Sequence, residues 1–145
     1  MGNARTPARR LAVQALYQWQ LAGQDIGDII AQFCDEQQPG EAQREYFSEL
    51  LRGVLKGLDE IDDLIAPLLD RPLTQVDPVE RAILRVGAFE LAHRPEVPYR
   101  VVINEGVELA KRFGAEQGHR FVNGVLDRLA QQLRAVEQKA SGGPA

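Results

Sequence analysis

Few residues of this chain have the types and spacing that catalysis or metal binding requires. The two histidines, His93 and His119, are not part of an HExxH or similar metal-binding pattern. The single cysteine, Cys34, excludes an internal disulfide and any CxxC zinc or redox motif. The glycines form neither a GxxxxGKS/T nor a GxGxxG phosphate loop. The sequence therefore predicts no catalytic residue, no metal site, no cofactor and no enzymatic activity.

The basic residues are more informative, because charge is segregated along the chain. Residues 1–20 carry a net charge of +3 and residues 81–145 also carry +3, whereas residues 21–80 carry −10. Arg9 and Arg10 lie in the predicted first turn of the first helix, and Arg5 lies on the arm before it. Unpaired N–H groups at a helix start favour an anion, so these three arginines predict a phosphate site.

A second basic segment surrounds a predicted turn between two helices. It reads KRFG at 111–114 and QGHRF at 117–121. Sites for single-stranded RNA combine cations with aromatic rings on which bases stack. The candidates are Lys111, Arg112, Phe113, Gln117, His119, Arg120 and Phe121. The spacing of Phe113 and Phe121 favours a core position for both rings, whereas the basic residues have no role in a core.

Apolar residues recur at helical spacing through most of the chain and predict an all-α fold of about seven helices. Thr6-Pro7 predicts the start of the first helix, and Asp25 is expected to cap the second. Asp77-Pro78 starts the fifth helix, with Glu80 in the position that completes a capping box. Gly114 predicts a left-handed cap at the end of the sixth helix.

The predicted domain organisation is a single helical domain over residues 1–138. A break near Gly57 divides it into a three-helix and a four-helix subdomain, and residues 139–145 are expected to be a disordered tail. With 145 residues, the chain can form one core but not an additional cofactor-binding domain. No apolar run approaches the roughly 18 residues of a membrane span, and residues 1–20 lack a secretory signal, so we expect a cytoplasmic protein without a membrane partner.

Four segments, in order, resemble the signature segments of the NusB family of bacterial transcription antitermination factors. They are ARRLAVQALYQW at 8–19, VPYRVVINEGVELAK at 97–111, FGAE at 113–116 and RFVNGVLD at 120–127. The resemblance extends to ERAILR at 80–85 and covers about residues 5–135. It implies an all-helical fold of two small subdomains.

The resemblance also implies a function, which is to bind the boxA element of nascent RNA. The matching RNA-facing residues are Arg5, Arg9, Arg10 and the segment from Lys111 to Phe121. It further implies a partner, the small-subunit ribosomal protein NusE, on a surface that includes Tyr17, Asp77 and Glu80. Together they would join NusA and NusG on RNA polymerase, so that ribosomal RNA operons are read through.

Two other functions remain open from the sequence. A related helical domain is fused to RNA cytosine methyltransferases, so the chain could be an RNA-binding domain detached from such an enzyme. The length of this chain leaves no room for the methyltransferase domain itself. The second alternative is a helical adaptor that binds only proteins through its acidic region, which RNA binding at physiological salt would exclude.

Overall fold

The computed structural model describes residues 3–140, and every regular element within them is helical. The α-helices are α1 (Arg5–Ala22), α2 (Ile26–Gln37), α3 (Glu41–Lys56), α4 (Leu58–Ile65), α5 (Pro78–His93), α6 (Tyr99–Phe113), α7 (Gly118–Leu133) and α8 (Ala135–Ala140). Two turns of 3-10 helix, Ala66–Leu68 and Leu73–Gln75, connect α4 to α5. The predicted all-α fold is confirmed, with one α-helix more than predicted.

Helix α5 organises the core of the molecule. Every residue from 82 to 91 is buried, and the helix packs against α1, α3, α4, α6 and α7. Helix α1 packs mainly on α3 and α5, while α6 packs mainly on α7 and α5. The buried apolar side chains of all these helices form one cluster. A division into two subdomains near residue 57 stays a prediction.

Two predicted caps are present at the starts of α2 and α5. Asp25 Oδ2 accepts a hydrogen bond from the Asp28 N–H at 3.2 Å. Asp77 Oδ1 accepts from the N–H groups of Val79 at 2.9 Å and Glu80 at 3.2 Å. These bonds satisfy N–H groups that have no partner inside the helix. Each bond joins residues only two or three positions apart, so the caps can be predicted from the local sequence. Glu80 does not complete the predicted capping box, because its carboxylate bonds to the Ala115 backbone instead.

Two other predicted caps are wrong, although α6 does end directly before Gly114 as predicted. The Ala8 N–H already donates to the Ala4 carbonyl at 3.2 Å, so α1 begins before Thr6 and has no side-chain cap. Gly114 is extended, with φ −88° and ψ 178°, and not left-handed. A Cβ atom there would lie 2.8 Å from the Ala110 carbonyl oxygen, so close backbone approach explains this glycine.

Lys139 and Ala140, expected to belong to a disordered tail, are part of α8. Glu137 Oε2 accepts the N–H of Tyr99 at 2.9 Å and holds α8 against the start of α6. The buried Arg134 pairs with Glu137 and donates to four backbone carbonyls, those of Glu90, Leu91, Arg94 and Val97. Residues 141–145, the remainder of the predicted tail, lie outside the described residues.

Candidate nucleic-acid interface

The first half of α1 and the part of α6 from Glu105 to Arg112 line a narrow cleft, which we call the α1–α6 cleft. Its volume is about 170 Å³, and its lining residues are Thr6, Arg10, Glu105, Glu108, Leu109 and Arg112. Arg10 and Arg112 come from the two basic segments that the sequence singles out. The fold therefore brings one arginine from each segment into the same cleft.

Both of these arginines are available to an anionic ligand. Within residues 3–140, neither Arg10 nor Arg112 forms an ion pair. The Arg112 guanidinium lies 5.4 Å from the centre of the Phe113 ring, which favours a cation. Lys111 contacts Glu108 at 3.7 Å, but both side chains are exposed. Such a pair is weak in water, so the ammonium group of Lys111 can exchange partners.

Arg9 does not join this surface, although the sequence predicts it to contact RNA. It lies in the second turn of α1, not the first, and only 3% of the residue is exposed. Its Nε donates to both carboxylate oxygens of Glu90, at 2.9 and 3.0 Å, and its Nη1 donates to Glu105 Oε1 at 2.9 Å. The adjacent residue, Arg10, points to the cleft because successive helical residues face different directions.

The environment of Arg9 keeps it charged. Burial alone would lower the pKa of Arg9, but the hydrogen bonds and charges of Glu90 and Glu105 raise it overall. Tyr46 of α3 donates its hydroxyl to Glu90 Oε2, and burial together with the Glu90 charge raises the pKa of Tyr46. The four side chains join α1, α3, α5 and α6, and we call them the Arg9 cluster.

Arg5 also lies apart from the cleft-lining residues. It pairs with Glu96 at 3.2 Å, and both side chains are exposed. Its guanidinium lies 4.6 Å from the centre of the Tyr46 ring, beside the Arg9 cluster. Of the three arginines predicted near the N-terminus, only Arg10 therefore lines the α1–α6 cleft.

The turn between α6 and α7 carries the remaining candidates. Gln117 is exposed and has a left-handed backbone, with φ 70°. Arg120 is exposed and forms no ion pair within the described part of the chain. His119 is half-buried. Phe121 is half-buried against the core, with the Arg71 guanidinium 5.1 Å from its ring centre.

Glu80 lies beneath this turn, not on the surface predicted for a protein partner. It is only 6% exposed, and its carboxylate occupies the space beside Gly118 that a side chain there would need. Burial and the charge of Asp77 raise the pKa of Glu80, although a hydrogen bond with the Ala115 backbone opposes this shift. The Glu80 carboxylate thus occupies the start of α7, a position where the N–H groups of a helix favour an anion.

An apolar groove, which the sequence did not reveal, lies next to the turn. Its volume is about 540 Å³, and it is lined by Val13, Gln14, Tyr17, Gln18, Leu21, Ala22, Phe33, Val79 and Phe113. Tyr17 is 37% and Leu21 59% exposed, which is high for large apolar side chains. Their spacing of four residues puts them on one face of α1, away from its buried stripe. This spacing is the sequence signal from which an exposed apolar face could have been predicted. Asp77, the other predicted partner residue, is half-buried as the cap of α5.

The structure adds little support for other kinds of site. Within residues 3–140, no group of three or more potential ligands could hold a metal ion. Cys34 is half-buried and packs against the core. In the same part of the chain, no helix has the length and apolar character to cross a membrane.

The described part of the chain is all-helical, and it contains a cleft with two arginines that form no ion pair there, next to an apolar groove. The family model for NusB matches residues 6–131, and the chain belongs to the NusB family. The transcription antitermination protein NusB of Nitrosococcus oceani is 58% identical over 137 residues, which are 94% of this chain and 92% of that protein.

Solved structures agree with this assignment. NusB of T. maritima is 34% identical, with a TM-score of 0.83 over 90% of this chain and 93% of that one. A chain in a crystal structure of the antitermination factors NusB and NusE in complex with dsRNA is 30% identical. Its TM-score is 0.84, and the match covers 91% of this chain and 99% of that one.

The burial of Arg9 predicts that Arg9→Ala destabilises the protein by about 3–5 kcal/mol, because it leaves the Glu90 carboxylate buried without its cation. Urea unfolding followed by circular dichroism measures this change. Arg10→Ala is the matched control and should alter the free energy of unfolding by less than about 0.5 kcal/mol. Equal, small effects of the two substitutions would contradict the buried position of Arg9.

Proposed function

We propose that this chain is a transcription antitermination factor that binds boxA-type single-stranded RNA through the α1–α6 cleft and the turn that follows α6. The main support for this proposal is that Arg10 and Arg112 line the same cleft. Within the described residues, no carboxylate forms an ion pair with either arginine. Phosphate contacts by such cations supply most of the sequence-independent affinity for nucleic acid. The complex of NusB, NusE and dsRNA supports RNA as the ligand class.

The proposed RNA surface continues from the cleft along the end of α6 to the start of α7. Lys111 and Arg120 are exposed cations on this path, and Gln117 and His119 supply hydrogen-bonding groups. Phe113 and Phe121 are half-buried, so they can offer only a ring edge or part of a face to a base. Arg9 and Glu80 contribute indirectly, because each holds one part of this surface in place.

NusE is the proposed protein partner, and the apolar groove is its proposed docking site. Apolar grooves with exposed aromatic side chains are typical of protein interfaces. One wall, from Phe33 of α2, belongs to the acidic region 21–80, which would attract a basic ribosomal protein. Phe113 lines the groove and also contacts Arg112, so the two proposed surfaces share a residue.

The proposed role is binding without a catalytic step, performed in the cytoplasm where nascent transcripts are made. NusA, NusG and RNA polymerase would be reached through the complex with RNA and NusE. A methyltransferase fragment is disfavoured, because the Nitrosococcus oceani protein itself has nearly the length of this chain. The protein-only adaptor gives no role to the arginines of the cleft.

The RNA surface predicts that Arg10→Ala combined with Arg112→Ala weakens boxA-type RNA binding. Each lost phosphate contact on a single strand should also reduce the slope of log K against log salt by about 0.7. Filter binding at several salt concentrations, with a scrambled RNA for comparison, measures both quantities. Arg128→Ala, which removes an exposed arginine of α7, is the control and should change neither. An unchanged slope in the folded double variant would remove the cleft from the RNA site.

The groove predicts that Tyr17→Ala combined with Leu21→Ala lowers NusE affinity by about thirtyfold or more, since exposed anchor residues at interfaces commonly contribute about 2 kcal/mol. RNA binding in the absence of NusE should be unchanged. Calorimetric titration with NusE measures the loss, and Val136→Ala is the control, because Val136 is 83% exposed elsewhere on the surface. Wild-type NusE affinity in the folded double variant would place the partner on another face.

If NusE and RNA bind together, each should strengthen the binding of the other. A coupling of typical size, about 1–3 kcal/mol, corresponds to a rise of roughly 5–150-fold in RNA affinity at saturating NusE. Reciprocity requires the same factor for NusE in the presence of RNA.

A further inference from the structure

The α1–α6 cleft contains a carboxylate that a phosphate group would avoid. Glu105 lines the cleft together with the two arginines, and 23% of its side chain is exposed. It shares the buried guanidinium of Arg9 with Glu90, whose side chain is only 1% exposed. One cation thus serves two carboxylates, and the remaining negative charge lies at Glu105, the member of the Arg9 cluster that reaches the cleft.

The contacts of Glu105 leave one oxygen for a ligand. Oε1 accepts the hydrogen bond from Arg9 Nη1 at 2.9 Å, while no donor within residues 3–140 bonds to Oε2. Arg9 is itself fixed by two hydrogen bonds to Glu90, so Glu105 is held at the cleft wall. An ionised carboxylate only accepts hydrogen bonds. Bound RNA would displace water from this oxygen, Oε2, which then needs another donor, and the amino group of a nucleobase is one that RNA can supply.

We propose that Glu105 is a specificity-determining residue that accepts a hydrogen bond from the exocyclic amino group of a base, while Arg10 and Arg112 contact the neighbouring phosphates. This inference rests on the proposed RNA-binding function. It predicts a preference for cytosine over uracil in the cleft, because these bases differ at position 4, where cytosine has an amino donor and uracil has a carbonyl acceptor. Arg9 acts as the positioning residue for Glu105.

Glu108 provides a control for the loss of negative charge from the cleft. Glu108 lines the same cleft, but its side chain is 71% exposed and its charge is partnered by Lys111. Replacing either glutamate by glutamine removes one negative charge from the cleft. Only the replacement of Glu105 removes a carboxylate that a buried arginine holds in a fixed position.

The test compares the full-length wild-type protein with Glu105→Gln and Glu108→Gln, using a cytidine 12-mer and a uridine 12-mer as RNA probes. We expect the wild type to bind the cytidine 12-mer about tenfold more tightly, as for one good base contact. Glu105→Gln should reduce this preference to less than about twofold. Glu108→Gln should strengthen binding of both RNAs alike and keep the wild-type preference.

Folding of the Glu105 variant is expected, because a glutamine carbonyl can still accept the hydrogen bond from Arg9, and thermal melting checks it. Glu105→Asp keeps the charge but shortens the side chain, so it should also lose the preference. The inference is overturned if the wild type shows no preference, or if Glu105→Gln retains it. The proposed function fails separately if Arg10→Ala combined with Arg112→Ala leaves the affinity for both 12-mers unchanged.

Discussion

The buried ion pair between Arg9 and Glu90 is the constraint on which the rest of this structure depends. A charged pair inside a protein is costly to desolvate, and it persists only where hydrogen bonds satisfy its polar atoms. Here Glu105 and Tyr46 provide these bonds, and the resulting cluster ties α1, α3 and α6 to the central helix α5. The bond from Arg9 to Glu105 also links α1 directly to α6, the two helices that line the cleft.

Helix α1 serves three purposes because its successive residues face in different directions. Arg9 points into the core, Arg10 points into the α1–α6 cleft, and Tyr17 with Leu21 borders the apolar groove. Helix α6 contributes to both surfaces as well, through Arg112 and Phe113. A protein built in this way can hold RNA and a protein partner on adjacent surfaces, and a contact on one can affect the other.

The sequence predicted those features that depend on neighbouring residues. The caps at Asp25 and Asp77 are local and were confirmed, and the apolar spacing identified the helices and most of the core. Burial of Arg9 could not be predicted, because its partner Glu90 is 81 positions away along the chain. The same holds for Glu80, whose carboxylate is covered by the turn before α7. Basic composition showed where cations are concentrated, but not which of them reach the surface.

The central claim is that Arg9 supports the RNA surface from inside while Arg10 and Arg112 bind the ligand. An NMR titration of nitrogen-15-labelled protein with boxA-type RNA, which follows the signals of the arginine Nε–H groups, tests this claim. We expect the Arg9 signal to be protected from solvent exchange and unchanged at saturation, whereas the signals of Arg10 and Arg112 should shift. An Arg9 signal that exchanges rapidly with solvent, and shifts with RNA as Arg10 does, would contradict it.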